Sequence, residues 1–181
     1  MLKKNIIISA LTVVALTATV HANQGSGKVN FKGTVVNAAC GIDPDSVEQT
    51  IDFGQLSMAH LNDGNTSNPV PFSIKLVNCD TTTLNEVQIA FAGATTADKE
   101  QLGTAGVTNT AIKVSNQDGS LVSFDGTPNK LQTLIDGNNT LHFSSWVEAA
   151  SGGTGATPPN PPKTVAEGQF TAVANFNLTY Q

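Results

Sequence analysis

EGQFTAVANFNLTYQ, residues 167–181, reads as an unbroken alternation. Phe170, Ala172, Ala174, Phe176, Leu178 and Tyr180 fall on one side of an extended chain, and Thr171, Val173, Asn175, Asn177 and Thr179 on the other. The pattern predicts a β-strand with one apolar face. Gln181 is the last residue of the sequence, and no later segment is expected to turn back and pair with the strand's outer edge. Unpaired edges template aggregation, and the reading therefore turns on what covers this one.

The same alternation recurs upstream. KVNFKGTV, residues 28–35, sets Val29, Phe31, Gly33 and Val35 against Lys28, Asn30, Lys32 and Thr34, behind the polar arm NQGSG at residues 23–27. TIDFGQL (50–56) puts Ile51 and Phe53 on one face, and EVQIAFAG (86–93) aligns Val87, Ile89 and Phe91. NPVPFSIKLVNC (68–79) aligns Val70, Phe72, Ile74 and Leu76, with Pro69 and Pro71 confining its start to a sheet edge. DGNNTLHFSSWVEA (136–149) points Leu141, Phe143, Ser145 and Val147 inward and His142, Ser144 and Trp146 outward, after a turn at Asp136–Asn139. Shorter strands are predicted at Ala111–Val114 and Leu121–Phe124 around the turn SNQDGS. TTADKEQL (95–102) has room for one or two helical turns, and ASGGTGATPPNPPK (150–163) is a loop by composition. About seven short strands with turn signals between them argue an immunoglobulin-like antiparallel sandwich, whose strand order periodicity does not set.

The first residues carry a secretory signal. Lys3 and Lys4 precede the apolar run Ile6–Val20, and small residues at Val20 and Ala22 predict cleavage after Ala22. A membrane anchor fits less well, because the run is short and polar-spotted against the roughly 20 residues a span needs. The remaining residues suit one domain. They hold seven lysines, no arginine and fourteen acids, a net charge of −7, which disfavours nucleic acid as a partner. Cys40 and Cys79 are the only cysteines, and export to an oxidising compartment predicts that they form a disulfide.

Catalytic patterns are scarce. His60 and His142 lie in unrelated contexts, and neither G-x-S-x-G nor H-E-x-x-H occurs. GSGK at residues 25–28 lacks the spaced glycine, the Ser/Thr and the helix of a phosphate loop. DPDSVE at 43–48 has acids but not the spacing or the sharp-turn glycine of a calcium loop, and reads as a solvated turn. Trp146 with Ser144, Ser145 and Glu148 offers a face on which a sugar could stack, but a single Trp on a strand is more often packed under a loop. No cofactor and no metal is expected, and a secreted hydrolase lacks its convergent acid, base or nucleophile.

The two ends answer each other. The first strand follows a polar arm, and the last presents an open edge. Either the two pair within one molecule, or the first strand of one molecule completes the sandwich of another. The second arrangement is heterologous and non-closing, and builds a fibre.

GKVNFKGTVVNAACGIDPDSVEQTIDFGQL (27–56), the second cysteine within KLVNCD, Gly168 ahead of the last strand and Tyr180 in the penultimate place together resemble the pilins of chaperone–usher fimbriae. The likeness is nearest to the rod subunits of P-type and type 1 pili. It implies an all-β, incomplete immunoglobulin-like sandwich that lacks its C-terminal (seventh) strand and is completed by a donor strand in trans. It also implies a periplasmic chaperone, an outer-membrane usher and other pilin copies as partners. The expected organisation is a signal peptide at 1–22, a donor extension at 23–36 and the pilin domain at 37–181. Under the resemblance Val29, Phe31, Gly33 and Val35 form the donor face, with Gly33 at the shallow point of the neighbour's groove. Phe170, Ala172, Ala174, Phe176, Leu178 and Tyr180 line the acceptor groove and meet the chaperone. Gly168 bends the chain into that strand, Gln181 is held by chaperone cations, and Cys40 and Cys79 form the family's disulfide. The expected role is a structural subunit of a surface fimbria serving adhesion and biofilm formation. A minor adaptor pilin or a sugar-binding adhesin subunit is the alternative.

Overall fold

The computed structural model describes residues 26–152 and 161–181. The expected leader at 1–22, the first residues of the arm and most of the Pro-rich loop lie outside the described residues. The chain divides into Met1–Val35 and Val36–Gln181.

In the first unit, residues 26–35 form neither helix nor strand, and Val29, Phe31 and Val35 are exposed. The strand expected over 28–35 is therefore not formed. Alternation marks which side chains share a face, but a strand also needs a hydrogen-bonded neighbour.

The second unit is a sandwich of antiparallel ladders. Along the chain come β1 (Gly41–Ile42), α1 (Pro44–Val47), α2 (Met58–Asn62), β2 (Val70–Cys79), β3 (Glu86–Gly93), β4 (Leu102–Gly103), β5 (Ala105–Gly106), β6 (Thr110–Asn116), β7 (Asp125–Pro128), β8 (Gln132–Thr133), β9 (Gly137–Ala149), β10 (Phe170–Thr171) and β11 (Ala174–Tyr180). One sheet runs β1-β2-β9-β6-β4, another β11-β3-β7 with β8 also on β3, and β10 pairs with β5 apart from both.

The long strands form where the alternation is strongest. On β9, Leu141, Phe143, Ser145 and Val147 are buried and His142 is exposed, as the sequence predicts. The buried Ser145 hydroxyl is satisfied by the Val70 carbonyl at 3.0 Å. β2 pairs with β9 from Val70 to Leu76, whereas β1 covers its other side only at Leu76 and Val77. Pro71 thus sits on a free edge, where its missing N–H costs no ladder bond. Between the sheets lie Ile74, Leu76, Val87, Ile89, Phe91, Val114, Val122, Phe124, Leu141 and Phe143. The Phe91 ring stands at their centre, with the rings of Phe143, Phe124 and Phe176 at 5.4, 6.3 and 6.3 Å.

Several local expectations change. TIDFGQL is not a strand. Gly54 is at φ +63 and donates its N–H to Asp52 Oδ1 at 2.8 Å, a local turn that interrupts the extended run. DPDSVE winds into the single turn of α1, capped by Asp43 and started by Pro44. TTADKEQL is not helical, because its hydroxyl and carboxylate oxygens take backbone N–H groups in turns, as at Asp98 and Glu100 (2.9 Å). Leu121–Phe124 makes only one bridge, Ser115 to Leu121. Val122 and Phe124 are nonetheless buried core residues.

Cys40 and Cys79 are joined, with Cα atoms 4.1 Å apart and a sequence separation of 39. The bridge ties the start of the domain to the end of β2, and closing a loop of that length stabilises by about 4 kcal/mol in the chain-entropy account.

The outer loops are set by carboxylates that cap backbone N–H groups. Asp80 accepts from Thr82, Asp118 from Ser120, Asp136 from Thr81, and Asp125 from Lys99 and Thr127. These bonds hold all four carboxyls below their ordinary value of 3.8. A carboxyl with a lower pKa folded than unfolded contributes stability that is complete above the unfolded value and is lost as pH falls through the folded one. The melting temperature is therefore expected to hold flat from neutral pH to near 4 and to decline below it. Replacing the four aspartates by asparagine should flatten that decline.

Candidate functional site

β11 lies at the end of its sheet. It pairs with β3 along its whole length, from Ala174 opposite Gly93 to Tyr180 opposite Val87, and has no second strand among the described residues. The end of the strand is fixed. The backbone oxygen of Gln181 accepts from the N–H groups of Asn85 (2.9 Å) and Glu86 (3.0 Å), and its N–H donates to the Glu86 carbonyl at 3.0 Å.

The inner face of this sheet is dry under one strand and open under the next. Residues opposite each other in an antiparallel ladder share a face. Phe176 lies opposite Phe91, Leu178 opposite Ile89 and Tyr180 opposite Val87. Phe91, Ile89 and Val87 are 5 %, 1 % and 1 % exposed, whereas their partners on β11 are only half-buried. Ala172, Ala174, Phe176, Leu178 and Tyr180 all pack against the core without being closed over by it. The sandwich is uncovered along this side, leaving an open groove along the half-buried face of β11.

Ala172, Ala174, Phe176, Leu178 and Tyr180 thus fall on one half-buried face, but Phe170 lies apart from it on a separate strand. The ladder breaks at Ala172 and Val173: Phe170 and Thr171 pair with Gly106 and Ala105 on β5, and only Ala174 onward pairs with β3. Gly168, at φ +154, admits the chain to this crossing, where a Cβ would stand 3.0 Å from Val107 Cγ2. Phe170 consequently joins a second cluster, around Leu61, Val147 and Val165.

That cluster holds residues the sequence reading did not assign to the site. Phe53 and Leu56 are half-buried against it, and the Phe53 ring lies 6.4 Å from that of Phe170. The signal was the alternation of Ile51 and Phe53 in TIDFGQL, which identifies an apolar face but not what it lies beside. The other predicted set belongs to the first unit. There Val29, Phe31 and Val35 are exposed, and a Cβ added at Gly33 would meet nothing within 4 Å.

Tyr180 is the one groove residue with a polar atom left over. Its ring is half-buried, but its hydroxyl is shut off from solvent with no hydrogen-bond partner among the described residues, and burial raises its pKa. Leaving a buried hydroxyl unpaired costs about 1–3 kcal/mol. Tyr180→Phe is therefore expected to leave the melting temperature unchanged or raise it by a few degrees, read by calorimetry, whereas a fall would show that the hydroxyl has a partner.

Trp146 is half-buried on β9 and bonded along one edge. Its Nε1 donates to Glu148 Oε2 at 3.3 Å, while Glu148 Oε1 takes Gln101 Nε2 at 2.5 Å and lies 3.6 Å from Lys113 Nζ. His142 stands exposed on β9 opposite Ser73.

Fold and edge together define an immunoglobulin-like sandwich one strand short, with the outer edge of β11 left open among the described residues. The family model described as fimbrial protein matches residues 29–181, and the chain belongs to that family. It is a structural subunit of a fimbria. It is 46 % identical to KS71A fimbrillin of Escherichia coli, over 95 % of each chain. Among solved structures it is similar to a subunit of a chaperone–usher pilus, with a TM-score of 0.77 and 44 % identity over 87 % of this chain and 97 % of that one. It is also similar to the P pilus rod subunit PapA, with a TM-score of 0.70 and 42 % identity over 80 % of this chain and all of that one.

Proposed function

We propose that this subunit polymerises by strand donation. Val29, Phe31, Gly33 and Val35 of one copy enter the groove of the next and lie against Ala172, Ala174, Phe176, Leu178 and Tyr180. Strand addition supplies main-chain bonds for affinity and side-chain pockets for register. The observation that carries this reading is the contrast in burial between β3 and β11 across one ladder. Before assembly a periplasmic chaperone occupies the same groove and holds Gln181, and an outer-membrane usher exchanges it for the next subunit. The product is a rod on the cell surface that serves adhesion and biofilm formation, and the chain has no catalytic part in it.

Gly33→Leu tests the register. A leucine at the shallow point of the groove overpacks it, at a cost of about 1–3 kcal/mol, and should slow or weaken assembly roughly tenfold or more. Thr34→Leu, on the opposite face, should assemble normally. Equal assembly of the two variants, followed by light scattering, would contradict the register.

A further inference from the structure

Charge is divided unequally along this chain. Residues 23–36 carry Lys28 and Lys32 and no acid, a net +2, whereas residues 37–181 carry five lysines against all fourteen acids, a net −9. Three of those five lysines are already engaged within the domain, Lys99 with Asp125, Lys113 with Asp98 and Glu148, and Lys130 with Asp118. Acids outside those pairs stand next to residues at the two ends of this edge and in the neighbouring cluster. Asp52 is exposed beside Phe53, Glu167 is exposed just ahead of Gly168, and Glu86 faces Gln181 across the end of β11. None of the three has a lysine within ion-pair reach among the described residues.

Resting on the strand-donation reading, we propose that Lys28 and Lys32 steer the arm of one copy to the anionic groove side of another and so set the rate of assembly. In an extended strand the two lysines lie on the face opposite Val29, Phe31 and Val35. They remain in water when the apolar face is buried, and each keeps its charge without being desolvated. Charges of that kind act at long range on encounter rather than on the lifetime of the complex. The apolar face and the ladder determine how long the strand stays, and the lysines determine how often it arrives. The arm also offers opposite charge at the contact between two subunits that otherwise repel, each being net negative.

The test uses the full chain as acceptor and a fluorescent peptide of residues 25–36 as donor, with association followed by stopped-flow anisotropy. Raising salt from about 10 mM to about 300 mM shortens the screening length from about 30 Å to less than about 8 Å. Over that range the association rate constant is expected to fall about five- to tenfold. The dissociation rate should change by less than about twofold. A peptide with Lys28→Gln and Lys32→Gln should associate slowly at low salt, with little salt dependence left, and dissociate like the parent. A salt-independent association rate, or equal rates for the two peptides, overturns the steering while leaving strand donation in place. Failure of both peptides to bind at any salt overturns strand donation itself, and the steering with it.

Discussion

Fusing a second copy of residues 25–35 behind Gln181 through a flexible linker is expected to raise the melting temperature by roughly 10 °C or more and to leave a monomer. The added segment brings Val29, Phe31 and Val35, each worth about 1.5–3 kcal/mol when buried. The exposed half of Phe176 and Leu178 is covered at the same time, and each new ladder bond adds about 0.5–1.5 kcal/mol. Ordering the segment opposes this at about 1–2 kcal/mol per residue. A net surplus of a few kcal/mol, at about 2–4 °C for each, gives the stated shift. The same fusion with Phe31→Asp should lose most of it. A fusion that melts with the parent chain would show that β11 needs no further strand.

Deleting residues 23–36 is expected to abolish fibres while leaving the domain folded. The two apolar clusters begin at Ala39 and use nothing before it, and Cys40 remains to bridge to Cys79. The deleted chain should still form its disulfide and still accept an added donor peptide. It should add to a growing end as an acceptor but give no strand onward, so filament mass by electron microscopy should fall to background. Normal filaments from this variant would remove the arm from the mechanism.

The sequence made the long strands legible because burial and alternation coincide in them. β2, β3 and β9 carry large apolar side chains at alternating positions, and the structure buries most of them, leaving Val70 and Phe72 of β2 half-buried. β4, β5 and β8 are two residues each, too short for any period, and all of β7 is exposed. α1 and α2 are single turns announced only by their caps, Asp43 and Ser57. At the site, alternation picked out the correct face of β11 but not the break at Ala172 and Val173, because side-chain period does not reveal a change of ladder partner. It also read strands at 28–35 and 50–56 where the chain forms none. Both stretches have an apolar face but no ladder: 28–35 has no paired neighbour among the described residues, and 50–56 turns at Gly54 and packs Phe53 and Leu56 against the second cluster instead.

In the proposed assembly the outer edge of β11 is filled by another copy. Amide hydrogen exchange of residues 174–180, compared between the unassembled chain and assembled fibres, measures that edge directly. The amides that do not bond to β3 should exchange freely in the single chain and be slowed by orders of magnitude in the fibre, while those bonded to β3 are protected in both. Equal, fast exchange of the outer amides in the fibre would mean that subunits join elsewhere and that the groove stays empty.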